Sequence, residues 1–219
     1  MSDLKDYLFY QDSWATIYCG DCRDILPMLE SVDLVLTDPP YGKDSLDKWE
    51  TLGIVSMAIL VKGGWCLAYS GHSFMPEILN MVCKSGMVYR WIIALFHSGN
   101  HDLRPLGEMC IEIGWKPIIM FRKPPIPSTP GAERFIDTLL GSGRAKSNHP
   151  WEQAAGESTK LLSQFNGIVL DPFMGSGTTL VAAKNLNRKS IGIEIEEKYC
   201  EIAVKRLKQE VFDFRKQGT

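Results

Sequence analysis

No apolar run in this sequence reaches the roughly 18 residues that a membrane-spanning helix needs. The opening residues, MSDLKDYLFYQDS, carry acids where a secretory leader carries a basic start and an apolar stretch. A cytoplasmic protein is expected. A large excess of either charge is also missing. The net is -2, so a nucleic-acid partner has to be gripped by a local basic surface. Cys19, Cys22, Cys66, Cys83, Cys110 and Cys200 are scattered through predicted strands and helices, which fits reduced core thiols better than a disulfide framework. Cys19 and Cys22 form one C-x-x-C, but no second pair or histidine cluster completes a zinc site. His97 and His101 have ligand-like spacing, yet HSGNHD reads as a loop and no acid partner motif follows. No metal is expected.

What the chain does have is a regular alternation of apolar periods. ATIYC (15–19), VDLVLT (32–37), GWCLAYS (64–70), GIVL (167–170) and KSIGIEI (189–195) read as strands. RDILPMLE, KWETLGIVSMAILV, SFMPEILNMVCKS, WEQAAGESTKLLSQF, GTTLVAAKNL and a final segment from Glu196 read as helices. MVYRWIIALFH and KPIIMFRK are two further strands, longer and richer in β-branched and aromatic residues. Strands alternating with helices imply an α/β domain, here a single one over residues 1–219, with a mostly parallel sheet covered on both faces. The rhythm breaks between 122 and 149, in RKPPIPSTPGAERFIDTLLGSGRAKSNH. A connection this long inside a compact domain is usually functional.

Two motifs point to chemistry. In VLDPFMGSGTTLVAA (169–183) a short strand ends in Asp171, a glycine-rich turn follows, and a helix opens near Ser176. Glycines there let a ligand approach the backbone, and the unpaired N–H groups of a helix start favour electron-rich groups. The turn is neither a P-loop, which needs Lys before Ser/Thr, nor a dinucleotide fingerprint, since Leu180 stands where the third glycine belongs. About twenty residues on, Glu194 ends the next strand, a position that suits the hydroxyls of a ribose. In the second motif, TDPPYG (37–42), a buried strand runs into an acid, two prolines that cannot donate to a ladder, and a tyrosine.

Together DPPY and DPFMGSGTT resemble the amino-methyltransferases of DNA, which use S-adenosylmethionine to methylate adenine N6 or cytosine N4. The catalytic motif precedes the cofactor motif, as in the permuted β-group, and the likeness runs from about Thr16 to Leu207. The resemblance implies a Rossmann-like, doubly wound sheet of seven strands, one of them antiparallel, with the strands ending at Asp38 and Asp171 side by side. It implies a clamp in which Asp38 accepts one hydrogen of the target amine and the Pro39 carbonyl accepts the other. Pro40 stiffens the turn, and Tyr41 stacks on a base flipped from the duplex. On the cofactor side it implies Asp21 and the Cys22 N–H at the adenine, Glu194 at the ribose, and Asp38, Asp171, Phe173, Gly175, Ser176, Gly177 and Thr178 around the rest. Asp21 also reads as a helix N-cap. NHPWEQ resembles the family's segment that closes over the methionine end: His149 and Pro150 match, whereas Gln153-Ala154 replaces the usual Lys-Pro. The Asp in the first clamp position is commoner with adenine, Ser with cytosine N4.

The target side is read from charge. Residues 84–149 hold nine Lys/Arg against five Asp/Glu, a net of +4, leaving -6 for the rest. Segment 122–149, which corresponds to the family's variable region, is the candidate target-recognition part, with Arg122, Lys123, Arg134, Arg144 and Lys146 as DNA contacts. It is short, so either the recognised sequence is short or a homodimer shares the task. Two rival readings are an RNA or protein methyltransferase, for which related clamps begin with Asn, and a nucleoside-binding module without catalysis. Asp38 and the motif order count against the first, and intact Asp38, Tyr41, Asp171 and Glu194 against the second.

Overall fold

The computed structural model describes residues 3–40, 43–96, 102–106, 108–128, 133–141 and 152–209. In chain order the strands are β1 (Leu8–Gln11), β2 (Ala15–Cys19), β3 (Val32–Thr37), β4 (Leu60–Tyr69), β5 (Val88–Phe96), β6 (Asp102–Leu106), β7 (Met109–Ile113), β8 (Trp115–Arg122), β9 (Thr138–Leu140), β10 (Val169–Asp171) and β11 (Ser190–Glu194). The helices are α1 (Cys22–Ile25), α2 (Leu46–Ile59), α3 (Met75–Lys84), α4 (Glu152–Leu162), α5 (Thr178–Asn185) and α6 (Glu197–Lys208). Nine of the described strands form one sheet in the order β1-β2-β11-β10-β3-β4-β8-β5-β9, and β6 pairs with β7 in a separate antiparallel ribbon.

The local reasons are those of periodicity. In β3 the residues Val32, Leu34, Val35, Leu36 and Thr37 are all buried, the continuous apolar run of a strand covered on both faces. In α2, Trp49, Leu52, Val55, Ser56 and Ile59 are buried at steps of three and four, which makes one stripe of a helix. On one face α1 to α3 cover Val35, Cys66 and Phe121 with Ile25, Trp49, Leu52 and Ile78. On the other, Leu161 and Leu162 of α4 and Ala182 and Ala183 of α5 meet Leu34, Leu36, Leu67 and Ile118. There too α6 lays Cys200, Ala203 and Leu207 on Ala15 and Ile17.

From β2 through β11, β10 and β3 to β4 the strands are parallel. β8 runs against both β4 and β5. These seven strands are the expected ones, with β8 the antiparallel member, and β10 lies beside β3 as expected. Two edge strands are additional: β1 pairs antiparallel with β2, and β9 pairs parallel with β5. β1 lies in the acidic opening segment and β9 inside the Pro/Gly-rich stretch, where composition masked a three- or four-residue strand. From β10 the chain moves to β11 on one side, and from β3 it moves to β4 on the other. The carboxyl ends of β10 and β3 are therefore the switch point of the sheet, where an open α/β sheet has its ligand crevice. No helix among the described residues is long and apolar enough to cross a membrane.

Candidate active site

One rim of the sheet carries, in order, Asp21 after β2, Glu194 closing β11, Asp171 closing β10, Asp38 after β3, and Tyr69 closing β4. Because β8 is antiparallel, it brings its first residues, Trp115 and Lys116, to the same rim.

The β3–β10 seam is tied by side chains. Thr37 Oγ1 donates to Asp171 Oδ1 at 2.7 Å, and the Phe173 N–H donates to the same oxygen at 3.2 Å. The Thr179 hydroxyl of α5 also bonds this carboxyl group. Asp171 is 3% exposed, and burial pushes its carboxyl up to about 6 against these hydrogen bonds, with the Asp38 charge adding to the rise. Its bonds go to the protein. Asp171 therefore ties the β3–β10 seam at the centre of the rim.

The glycine turn divides in the same way. At Gly175 (φ +52°) nothing lies within 4 Å of where a Cβ would stand. Its N–H donates to Glu194 Oε2 at 2.8 Å, while the Glu196 N–H donates to Oε1 at 3.0 Å. The Glu194 carboxylate is thereby aimed by two backbone donors, each oxygen keeping acceptor capacity for a diol. At Gly177 (φ +78°) a Cβ would stand 2.7 Å from Ala203 Cβ. The absence of a side chain at Gly177 lets α6 approach the turn. The hydroxyls of Ser176 and Thr178 meet α6: Arg206 Nη1 donates to Ser176 O at 2.7 Å, to Ser176 Oγ at 2.9 Å and to Thr178 Oγ1 at 3.0 Å. Phe173 packs partly into the core.

Asp21 is the N-cap of α1. Its Oδ1 accepts the Arg23 N–H at 2.9 Å, and the Arg23 guanidinium closes on both oxygens at 2.5–3.1 Å. That side-chain hydrogen bonding holds its carboxyl below the usual range. The Gly20 N–H donates to Glu194 O at 2.9 Å, so Asp21 and Glu194 stand on adjacent strand ends. Cys22 is buried and its thiol is pushed up to about 11, chiefly by burial; burial also pushes Cys66 and Cys200 up to about 12. Such thiols are poor nucleophiles and poor ligands. Among the described residues no group of three acids, cysteines or histidines could hold a metal.

At the clamp, Pro39 is buried, and the Pro40 carbonyl accepts the Trp49 indole N–H at 3.3 Å. The fully buried Trp49 thus anchors the turn to α2. The Asp38 side chain is 51% exposed, and Lys116 Nζ donates to its Oδ1 at 3.1 Å and its Oδ2 at 2.9 Å. The ammonium also lies 4.9 Å from the centre of the Tyr69 ring. Tyr41, His149, Pro150, His97, His101, Arg144 and Lys146 lie outside the described residues.

Lys116, Trp49, Thr37 and Arg206 were not singled out from the sequence. A lysine opening an otherwise apolar strand was the available signal for Lys116, but its meaning depends on strand direction. The same direction carries two expected DNA contacts away from this rim. Arg122 ends β8 at the opposite rim, 8% exposed. There its guanidinium pairs with Glu133 at 2.6 and 3.0 Å, bonds Gly63 O at 3.0 Å and stacks 4.5 Å over Trp65. Lys123 Nζ donates to Leu60 O at 2.5 Å, where β4 begins. Arg134 is exposed, but it lines a cavity of ≈ 370 Å³ at this same far rim, with Gly63, Trp65 and Asn166.

A doubly wound sheet with acids and an open glycine turn on its carboxyl rim has its ligand crevice where a nucleoside fits. Residues 156–205 match the family model described as DNA methylase. The type II methyltransferase M.HinfI of Haemophilus influenzae is 55% identical, over 89% of this chain and 68% of that protein. The crystal structure of an M1.HpyAVI–SAM complex superposes with a TM-score of 0.70 at 28% identity, covering 89% of this chain and all of that one. PvuII DNA methyltransferase (cytosine-N4-specific) shares the fold at a TM-score of 0.71 and 16% identity, covering 93% and 91%. The chain belongs to the S-adenosylmethionine-dependent DNA amino-methyltransferases, which methylate adenine N6 or cytosine N4. The open space at Gly175, bordered by the Glu194 carboxylate, suits the cofactor's ribosyl–methionine portion, so the residues present fit the group.

Proposed function

We propose that the protein methylates adenine N6 in DNA, with Asp38, Pro39, Pro40 and Tyr41 as the clamp for the flipped base. When bound, S-adenosylmethionine supplies an electrophilic methyl on a sulfonium. An exocyclic amine is a poor nucleophile because its lone pair is delocalised into the ring. Asp38 accepts one amine hydrogen and the Pro39 carbonyl the other, which turns the nitrogen toward tetrahedral geometry and aims its lone pair. As the N–C bond forms, the S–C bond breaks and sulfur keeps its electron pair. The nitrogen then sheds one proton toward Asp38 and solvent. Pro40 is held by Trp49, which leaves the clamp little freedom to drift.

The observation that carries this reading is a half-exposed Asp38 carboxylate one strand from the Gly175 cradle, at the switch point of the sheet. A charged acceptor polarises the weakly reactive adenine amine better than a hydroxyl does, which favours adenine over cytosine. Asp21 and Glu194 are assigned to the cofactor's adenine and ribose, His149 and Pro150 to its methionine end, and Arg144 and Lys146 to DNA phosphates.

The test is to methylate unmodified DNA, digest it to nucleosides and separate them by mass. N6-methyladenine is expected with wild type and absent with Asp38→Ala. N4-methylcytosine as the sole product would overturn the base assignment and leave the clamp standing. No modified nucleoside from any DNA would count against both.

A further inference from the structure

The pairing of Asp38 with Lys116 joins residues 78 apart in sequence, and neither motif accounts for it. The Lys116 backbone is held from two sides. It sits opposite Leu95 in the β5–β8 ladder, and the carbonyl of its neighbour Pro117 accepts the Ser70 N–H at 2.9 Å. Its ammonium is 4.9 Å from the centre of the Tyr69 ring, and the Tyr69 hydroxyl shares a hydrogen bond with Ser158 Oγ of α4 at 3.2 Å. Burial drives the Tyr69 phenol well above its usual range, so it stands neutral beneath the cation. Four elements (β4, β5, β8 and α4) thus fix one charged group, and that group reaches both oxygens of Asp38.

We infer that Lys116 is a positioning residue for methyl transfer: it fixes the plane of the Asp38 carboxylate that receives the target amine. This rests on the clamp reading of Asp38. The Lys116 side chain is 26% exposed and that of Asp38 51%; a pair this open to water contributes little to holding a fold together. Its effect is on orientation. A carboxylate offers about four acceptor sites, so an ammonium bridging both oxygens does not exhaust them. It stops rotation about the terminal torsion, which is otherwise broad. The cation also offsets part of the Asp38 charge, which acts on the carboxyl group of buried Asp171.

The experiment is a double-mutant cycle read by single-turnover methylation at saturating DNA and cofactor, with calorimetric cofactor affinity, DNA binding by anisotropy and thermal melting alongside. Lys116→Met should lower the single-turnover rate about ten- to hundredfold. Lys116→Arg, which keeps the charge, should recover most of the loss and serves as the folded control should Lys116→Met melt early. Cofactor and DNA affinities should stay within about twofold. In an Asp38→Asn background the Lys116→Met change should cost nothing further, because its action passes through the carboxylate. A wild-type rate in Lys116→Met beside a crippled Asp38→Asn would overturn this inference alone. So would a multiplicative loss in the double variant, or a loss confined to DNA affinity with a flatter salt dependence, which marks a phosphate contact. A wild-type rate in Asp38→Asn would sink the clamp itself.

Discussion

Asp171 carries a carboxyl group into the centre of the sheet and spends its hydrogen bonds on Thr37, Phe173 and Thr179. Burial raises its folded-state value to about 6, above the roughly 3.9 of an unfolded aspartate, so the native state holds the proton more tightly. The stability from this group is complete below about pH 4 and is lost as pH rises through about 6, on the order of 3 kcal/mol in all. Asp171→Asn is neutral throughout and can still accept from Thr37 and Phe173. The melting temperature of wild type relative to this variant should therefore fall between pH 4 and 7; parallel curves would refute the assignment. The two glycines of the turn should separate as cleanly. Gly177→Ala places a methyl against Ala203 at positive φ and should cost about 2–4 kcal/mol in denaturant unfolding. Gly175→Ala meets open space, costs about 1 kcal/mol of backbone strain, and should instead weaken cofactor binding in calorimetry. Equal cofactor affinity in a folded Gly175→Ala protein would place the cradle elsewhere.

Among elements, β8 shows where sequence reading stops. Its existence was plain from KPIIMFRK, and its burial from β-branched and aromatic content, but a strand's direction is set by its neighbours. Read without direction, the basic residues at its end looked available to DNA. Folded antiparallel to β4, the strand delivers Lys116 to the crevice and Arg122 to the far rim. Arg122→Ala should accordingly destabilise the fold by about 2 kcal/mol, since it strips Glu133 of its partner and uncovers Trp65. The slope of DNA affinity against salt should not change. The pair Arg144→Ala with Lys146→Ala should flatten that slope by roughly one to two units. Should Arg122→Ala flatten the slope instead, the DNA would cover the far rim.

On the scale of the whole molecule, the two motifs were legible because each couples an unusual backbone to a charge: DPP ends a buried strand, and GSG opens a helix. Their meeting at the β3–β10 seam followed from the resemblance. What pins them was not legible. The Thr37–Asp171 bond spans 134 residues, and the Arg206 contacts with Ser176 and Thr178 tie the last helix to the turn. Ser, Thr and Gly of the turn looked alike in sequence, and only the position of α6 sorts Gly175, which faces open space, from the three that face helix α6.

The pairing of β2 with β11 joins Ala15–Cys19 to Ser190–Glu194. During synthesis, then, the strand that leads to Asp21 precedes by some 175 residues the strand that bears Glu194. Until β11 slots between β2 and β10, Glu194 is not brought beside Asp21 or the glycine turn. Long-separation parallel pairings of this kind form slowly, because the loop they close must be ordered first. Completion of the crevice thus depends on a pairing between the two ends of the described sheet segment, and a copy in which β11 is unpaired should not retain S-adenosylmethionine.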